Sequence, residues 1–156
     1  MPTLYMLIGV PASGKSTWVN QHRNSNTLVA SSDDYIEKQA EKMGATYNDV
    51  FDDFIKAANT HAIATARKAF SDNLDLIWDQ TNLTKNGRRQ KLKMVPNSYN
   101  KIAVFFPTPH EDVLKKRLTS RPGKNIPDYV ITSMTKTIEK PSKDEGFDEI
   151  IVNSPG

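Results

Sequence analysis

Leu4-Tyr5-Met6-Leu7-Ile8, running straight into Gly9-Val10-Pro11-Ala12-Ser13-Gly14-Lys15-Ser16, decides the fold. The first five residues form the continuous apolar run expected of a strand buried on both faces of a parallel sheet. The next eight satisfy the phosphate-loop pattern G-x-x-x-x-G-K-S/T, and they sit after a strand and at the opening of a helix expected from Lys15 to about His22. Strand, glycine loop and helix in that order are what the chemistry needs. Gly9 and Gly14 let the backbone fold tightly around phosphate oxygens, with Pro11, Ala12, Ser13 and Thr17 lining the cradle. Backbone NH groups and the helix N-terminus face the negative charge, Lys15 reaches the β and γ phosphates, and the Ser16 hydroxyl is placed to ligate Mg²⁺.

Outward from this loop, strands and helices alternate. Thr27 to Ala30 reads as a second strand closed by Ser31-Ser32-Asp33-Asp34. Thr46 with Asp49 is a capping-box signature, and Phe54, Ala58, Ala62, Ala66 and Phe70 then recur every four residues along one long amphipathic helix. Leu74 to Asp79 reads as the third strand, Lys85 to Met94 as a basic helix, Ile102 to Phe106 as the fourth strand and His110 to Leu118 as a helix. A loop from Thr119 to Pro127, a helix from Asp128 to about Ile138 and a strand from Asp148 to Asn153 complete the pattern. Alternation at this spacing predicts one α/β domain over residues 1–156: a parallel sheet of about five strands with helices on both faces and a lid, in the manner of P-loop NTPase kinases.

Composition narrows the setting. The chain has 156 residues, 37% hydrophobic and 25% charged, with a net charge of +3 and no cysteine. Disorder and collagen are excluded, as are disulfide and thiolate chemistry. The apolar runs are too short for a membrane helix and Met1-Pro2-Thr3 has no basic head, so a soluble, cytoplasmic protein is expected, in the host cell if it is viral. The charge is uneven: residues 1–80 carry 7 basic and 10 acidic side chains, residues 81–156 carry 14 and 8. Lys85, Arg88, Arg89, Lys91 and Lys93 form one basic stretch, and Lys115, Lys116, Arg117, Arg121 and Lys124 form another. Either is a candidate attractor of anions.

Parallel strands deliver their C-terminal ends to one rim, so residues just past each strand gather around the phosphate loop. Past the second strand, one of Asp33 and Asp34 is read as capping the next helix. The other is read as taking or orienting the proton of an attacking hydroxyl. At the end of the third, Asp79 is placed to hold Mg²⁺, with Gln80, Thr81 and Asn82 on the acceptor side. Arg117 and Arg121, flanking a Pro-Gly loop, form a lid able to set guanidinium groups against charge on a transferring phosphoryl. No Asn-Lys-x-Asp run for reading guanine is present.

Taken together, the stretches GVPASGKSTW, SDDY, DQTNLTKNGRR, KKRLTSRPGKNIP and the closing IVNSPG give the chain a resemblance to the kinase domain of the bacteriophage 5′-hydroxyl polynucleotide kinase family over nearly its whole length. The resemblance implies Lys15 and Ser16 at phosphates and metal, Asp33 as general base, Asp79 or Gln80 at the metal and acceptor side, and Arg121 on the β and γ phosphates. It implies ATP and Mg²⁺ as cofactors and a nucleic acid acceptor, with Asp34, Gln80, Thr81, Asn82, Arg88 and Arg89 as acceptor contacts. A free small molecule or a hydroxymethylated base in DNA is the alternative acceptor, and a non-catalytic ATP-dependent switch is a further alternative. Two features depart from the pattern. Ile36 stands where the family usually has an acceptor-binding arginine, and the chain stops where the bacteriophage enzyme continues into a phosphatase domain.

Overall fold

The computed structural model describes residues 1–121 and 123–153. Pro122 of the lid and Ser154-Pro155-Gly156 of the closing motif lie outside the described residues. In chain order the elements are β1 (Thr3–Ile8), α1 (Lys15–His22), β2 (Thr27–Ala30), α2 (Ser32–Met43), α3 (Tyr47–Asp72), β3 (Asp75–Trp78), α4 (Lys85–Leu92), β4 (Asn100–Phe105), α5 (Glu111–Thr119), α6 (Asp128–Thr137), a 3-10 turn at Lys143–Glu145, and β5 (Glu149–Val152).

All five strands are parallel, in the order β2-β3-β1-β4-β5. The apolar run of β1 therefore lies mid-sheet, with Met6 opposite Trp78 on one side and Ile8 opposite Phe105 on the other. Its side chains divide by the two-residue period of a strand. Leu4, Met6 and Ile8 enter the layer that contains Ala62, Ala66 and Ala69 of α3, whereas Leu7 enters the opposite layer with Trp18 and Val19 of α1. Helices on both faces are the reason the run shows no polar alternation.

α3 begins on the Thr46 capping box and stops at Asn73, whose left-handed backbone (φ 55°) lets its NH reach the carbonyls of Ala69 and Phe70. Its buried stripe is made of Ala58, Ala62, Ala66 and Ala69, all fully buried. Methyl-sized side chains bring the helix close to the sheet, so a larger residue there would overpack it by about 1–3 kcal/mol.

α2 sits between β2 and α3 and corrects one expectation. Neither Asp33 nor Asp34 is the cap: Ser31 is, its Oγ accepting from the Asp34 NH at 3.3 Å. Both aspartates occupy the first turn, where their charge meets the positive end of the helix dipole. Ile36 is fully buried with Ala40, Val50 and Ala58 between α2 and α3. The position occupied by arginine in the resembling family is thus a core position here. Two backbone bonds tie the rim together, Gly9 NH to the Thr81 carbonyl at 3.0 Å and Asp79 NH to the Ala30 carbonyl at 2.9 Å. Among the described residues no helix is long and apolar enough to cross a membrane.

Candidate active site

The loop between β1 and α1 is built for close approach. A Cβ on Gly9 would lie 2.6 Å from Ser13 Oγ and 2.9 Å from Phe106 Cβ, so only glycine fits. Ala12 (φ 65°) and Gly14 (φ 107°) are both left-handed, which turns successive NH groups inward as an anion-binding nest. Gly14 caps α1 without a side-chain bond, and the first turn of α1 carries no acid. The helix terminus is left to a ligand, and that ligand is anionic. Lys15 Nζ donates to the Gly9 carbonyl at 2.9 Å across the mouth of the loop. Burial pushes its pKa down to about 8 against the opposing pull of Asp79 and Asp33.

This loop forms one end of a cavity of about 1040 Å³ lined by α1, α2, α3, the β3 rim and the lid. Pro11, Ala12, Gly14, Lys15, Ser16, Thr17, Asp33, Asp34, Asp79, Gln80, Thr81, Arg117 and Arg121 all line it, so most residues singled out in the sequence converge on one space. Gly9 and Ser13 stand behind the loop. Ser13 is buried, its Oγ without a partner among the described residues.

The lid reaches the loop through Arg117, whose Nη1 donates to the Ala12 carbonyl at 3.1 Å. Arg121 Nη1 is buried with no partner among the described residues. A buried guanidinium NH without an acceptor costs free energy, and a phosphate oxygen in the cavity would relieve it. The lid is also fastened to the start of α3. Asn48 NH donates to the Gly123 carbonyl, Asn48 Nδ2 to the Asn125 carbonyl and Asn125 NH to Asn48 Oδ1, each at 3.0 Å. Gly123 (φ 68°) presses so close to Thr46 that a Cβ would lie 2.7 Å from the Thr46 Cβ.

Asp33 is held at both oxygens. Tyr47 Oη donates to its Oδ1 at 2.6 Å, and Lys124 Nζ of the lid donates to its Oδ2 at 3.1 Å and to Glu37 Oε1 at 3.3 Å while packing 4.5 Å over the Tyr47 ring. Burial works against the Asp33 charge, yet the Lys124 ammonium, the hydrogen bonds from Tyr47 and Lys124, and Lys15 together hold its pKa below the usual carboxylate range. The Tyr47 hydroxyl is pushed the other way, by burial and then by donating to Asp33. Asp79 is pushed up to about 6, chiefly by burial; Lys15 opposes this and Asp34 and Asp33 add to it.

For Mg²⁺ the cavity offers the Ser16 hydroxyl and the Asp79 carboxylate. Among the described residues no cluster of three or more acidic, histidine or cysteine ligands forms a metal cage. Two oxygen donors suit Mg²⁺, which needs few protein ligands beside a bound nucleotide, and Ser16 and Asp79 would hold it. When bound, the ion would neutralise charge on the phosphates.

The basic helix α4 departs from expectation. Arg88 is fully buried: Nε and Nη2 pair with Glu145 at 2.8 and 3.1 Å, and Nη1 donates to the carbonyls of Asn82 and Leu83. It is a structural clamp on the 3-10 turn, and the reading of Arg88 as an acceptor contact is corrected. Asn82 is buried as well, its backbone left-handed (φ 47°) and its Nδ2 donating to the carbonyls of Leu7, Trp78 and Gln80, so it shapes the rim and does not face the cavity. Arg89 is exposed and donates to Asn86 Oδ1, away from the cavity wall. Lys91 turns inward to Gln80 Oε1 at 2.9 Å and to Asn82 Oδ1, and burial, then the charge of Lys15, lowers its pKa to about 8. Gln80 is thereby oriented by four groups: Trp78 Nε1 and Lys91 Nζ on its oxygen, Ser32 Oγ and Asn59 Oδ1 on its nitrogen.

Sequence reading passed over Tyr47 and the α3 wall, and took Lys91 and Lys124 only as members of basic stretches, without their inward contacts. Asn48, Asp52, Ile55 and Asn59 follow one another at helical spacing on the side of α3 that lines the cavity. That polar line was legible beside the alanine stripe, whereas the partners of Tyr47 and Lys124 lie 14 and 91 residues away.

A family model described as an AAA domain matches residues 4–141. The chain belongs to that family. The backbone also matches a protein from Chloroflexus aurantiacus J-10-fl assigned as a kinase, with a TM-score of 0.69 and 18% identity over 98% of this chain and 85% of that one. A gluconokinase from Sinorhizobium meliloti 1021 matches with a TM-score of 0.56 and 16% identity, covering 98% and 82% of the two chains. A sugar kinase from Janibacter sp. HTCC2649 matches with a TM-score of 0.56 and 20% identity, covering 99% and 86%. At these identities the likeness is one of fold: a P-loop, kinase-type α/β architecture, as the alternation of strands and helices led one to expect.

Proposed function

We propose that this AAA-family chain is a Mg²⁺- and ATP-dependent kinase that transfers the γ-phosphate to a hydroxyl of a small molecule. One observation carries the reading. A single cavity joins an anion nest, with its lysine and a lid guanidinium whose Nη1 has no partner among the described residues, to a carboxylate fixed by Tyr47 and Lys124. A switch protein would need the first half and not the second.

In the proposed reaction the acceptor oxygen attacks the γ-phosphorus in line. An O–P bond to the acceptor forms, the bond from the γ-phosphorus to the β–γ bridging oxygen breaks, and ADP leaves. The acceptor hydroxyl hydrogen-bonds to Asp33, which is ionised and retains accepting capacity beside Tyr47 and Lys124, and its proton passes to that carboxylate. Lys15, the nest and Arg121 stabilise charge on the transferred group and the leaving phosphate.

A polynucleotide acceptor, the reading implied by the phage-family resemblance, loses its physical basis in α4. Arg88 is buried, Lys91 faces inward, and the position of the missing arginine, Ile36, is core. The kinase relatives of like fold are named for gluconate and for sugars, which supports a compact acceptor. The test is transfer of labelled γ-phosphate to a panel of hydroxylated metabolites and 5′-hydroxyl oligonucleotides. Asp33→Asn is expected to bind nucleotide normally and turn over roughly 10²–10⁴ times more slowly. Full turnover in that variant overturns the assignment of the base.

A further inference from the structure

Gln80 stands at the rim where β3 ends, and its side-chain amide has no freedom of direction. Trp78 Nε1 and Lys91 Nζ reach its oxygen at 3.1 and 2.9 Å. An indole NH and an ammonium only donate, so the group that faces them is the carbonyl oxygen and not the amide nitrogen. The nitrogen is therefore turned to Ser32 Oγ at 3.2 Å and to Asn59 Oδ1 at 3.3 Å. Both hydrogens and both lone pairs of this amide are occupied within the protein. Lys91 is fixed in turn: it also donates to Asn82 Oδ1 and lies 5.2 Å over the Trp78 ring, while Asn82 Nδ2 is committed to backbone carbonyls.

The direction is passed on to the next two side chains. Ser32 Oγ accepts from Gln80, and its hydroxyl hydrogen is donated to none of the described residues. Asn59 gives its oxygen to Gln80, and its Nδ2 donates to none of the described residues. Ser32, Asn59 and Gln80 all line the large cavity. Lys91 stands on the other side of Gln80, lining a smaller cavity of about 360 Å³ with Gln90 and Met94. The hydrogen bonds thus run one way, from a cation outside the large cavity to two donors inside it.

We infer that Lys91 is a positioning residue for the acceptor: acting through Gln80, it makes donors of Ser32 and Asn59, and these bind an oxygen of the acceptor other than the one phosphorylated. The inference rests on the kinase reading above and assigns acceptor contacts within that same site. Ser32 Oγ and Asn59 Oδ1 are both within reach of one nitrogen, so the two donors stand side by side, and Ser32 directly precedes Asp33 in α2. A compact polyol or sugar carries a second oxygen to satisfy them, whereas an acceptor with a single hydroxyl leaves them unmatched.

The test offers glucose, gluconate and glycerol with labelled ATP and Mg²⁺, and the best acceptor becomes the probe. Gln80→Glu reverses the chain at nearly constant volume. A carboxylate still accepts from Trp78 and Lys91 but cannot donate, so Ser32 and Asn59 turn their hydrogens to it and away from the acceptor. Acceptor KM should rise about tenfold with kcat little changed, the mark of lost ground-state binding, and ATP affinity by direct titration should hold. In a Ser32→Ala, Asn59→Ala background the donors are already gone, so Gln80→Glu should add little. Lys91→Met, which introduces no negative charge, is the second arm: KM should rise several-fold in the parent and not in that background. An unchanged KM, a loss confined to kcat, or effects of equal size in both backgrounds overturns the inference and leaves the kinase reading standing. No labelled product from these acceptors or from the wider panel above, with ATP binding intact, overturns the kinase reading and this inference with it.

Discussion

Two basic stretches of similar composition end in opposite uses. On α4, Arg88 is sealed against Glu145 and two carbonyls, and Lys91 holds the Gln80 and Asn82 side chains. Along α5 and the lid, Arg117 grips the phosphate loop, Arg121 keeps a buried Nη1 with no partner among the described residues, and Lys124 reaches the Asp33 carboxylate. Sequence alone shows both as candidate attractors of anions. What separates them is whether the fold brings an internal acceptor within reach, and that acceptor is 57 residues away for Arg88.

The contrast breaks most visibly at Arg88. Arg88→Ala leaves the half-buried Glu145 carboxylate without its partner and should cost about 3–5 kcal/mol, a fall in melting temperature on the order of 10 °C; an unchanged melting curve would return Arg88 to the surface. Arg121→Ala should do the reverse. Turnover should fall by roughly 10²–10³ because a preorganised donor to the transferring phosphoryl is lost, while melting of the nucleotide-free protein stays within a degree or two, and a stability loss without a rate loss would merge the two stretches into one class.

Lys124→Met probes the reach of the lid. Losing a partly exposed ion pair should lower kcat/KM about fivefold or less. Asp33 would lose the ammonium that holds its pKa down, so the acid limb of the rate profile should move to higher pH; a limb that stays in place would show that Lys124 does not act on Asp33. A subtler signature belongs to Lys15. With a pKa near 8, it is half protonated at pH 8, and bound phosphates favour the charged form. Nucleotide binding should therefore take up roughly half a proton at pH 8, readable by calorimetry in buffers of different ionisation enthalpy, and an absent buffer dependence would place the lysine elsewhere. The sign also fixes the nucleotide-free protein. The unfolded chain binds the Lys15 proton more tightly between pH 8 and about 10.4, so this group's contribution to stability rises with pH across that window. Smallest of all, Arg89→Ala should leave acceptor KM unchanged and flat in salt, where a single-stranded nucleic acid would show a log–log slope of about 0.7 per phosphate contact.

Much of the fold was legible because its signals are short and contiguous. The apolar run of β1, the glycine loop and the Thr46 box each fit within a few residues, and parallel alternation then gathers the strand ends at one rim. Asp79 and the Asp33-Asp34 pair followed from that rule, whereas the choice of Asp33 rested on the family resemblance and Arg121 on the Pro-Gly loop between two helices. Arg88 and Asn82 did not, since an exposed and a buried arginine have the same letter, and an Asn after a strand is as able to bond the chain as a ligand. The α3 wall of the cavity stayed hidden for a different reason: the alanine stripe of α3 explained the helix so fully that the line through Asn48, Asp52 and Asn59 on its cavity side drew no attention.

The stitching of Gly123 and Asn125 onto Thr46 and Asn48 joins the lid to the start of α3 in one turn of chain. On the proposed reading, a molecule seated against α3 also steadies the segment beside the phosphate loop. Linkage makes the effect mutual: by whatever factor one ligand raises the affinity for the other through this turn, the other raises its affinity in return.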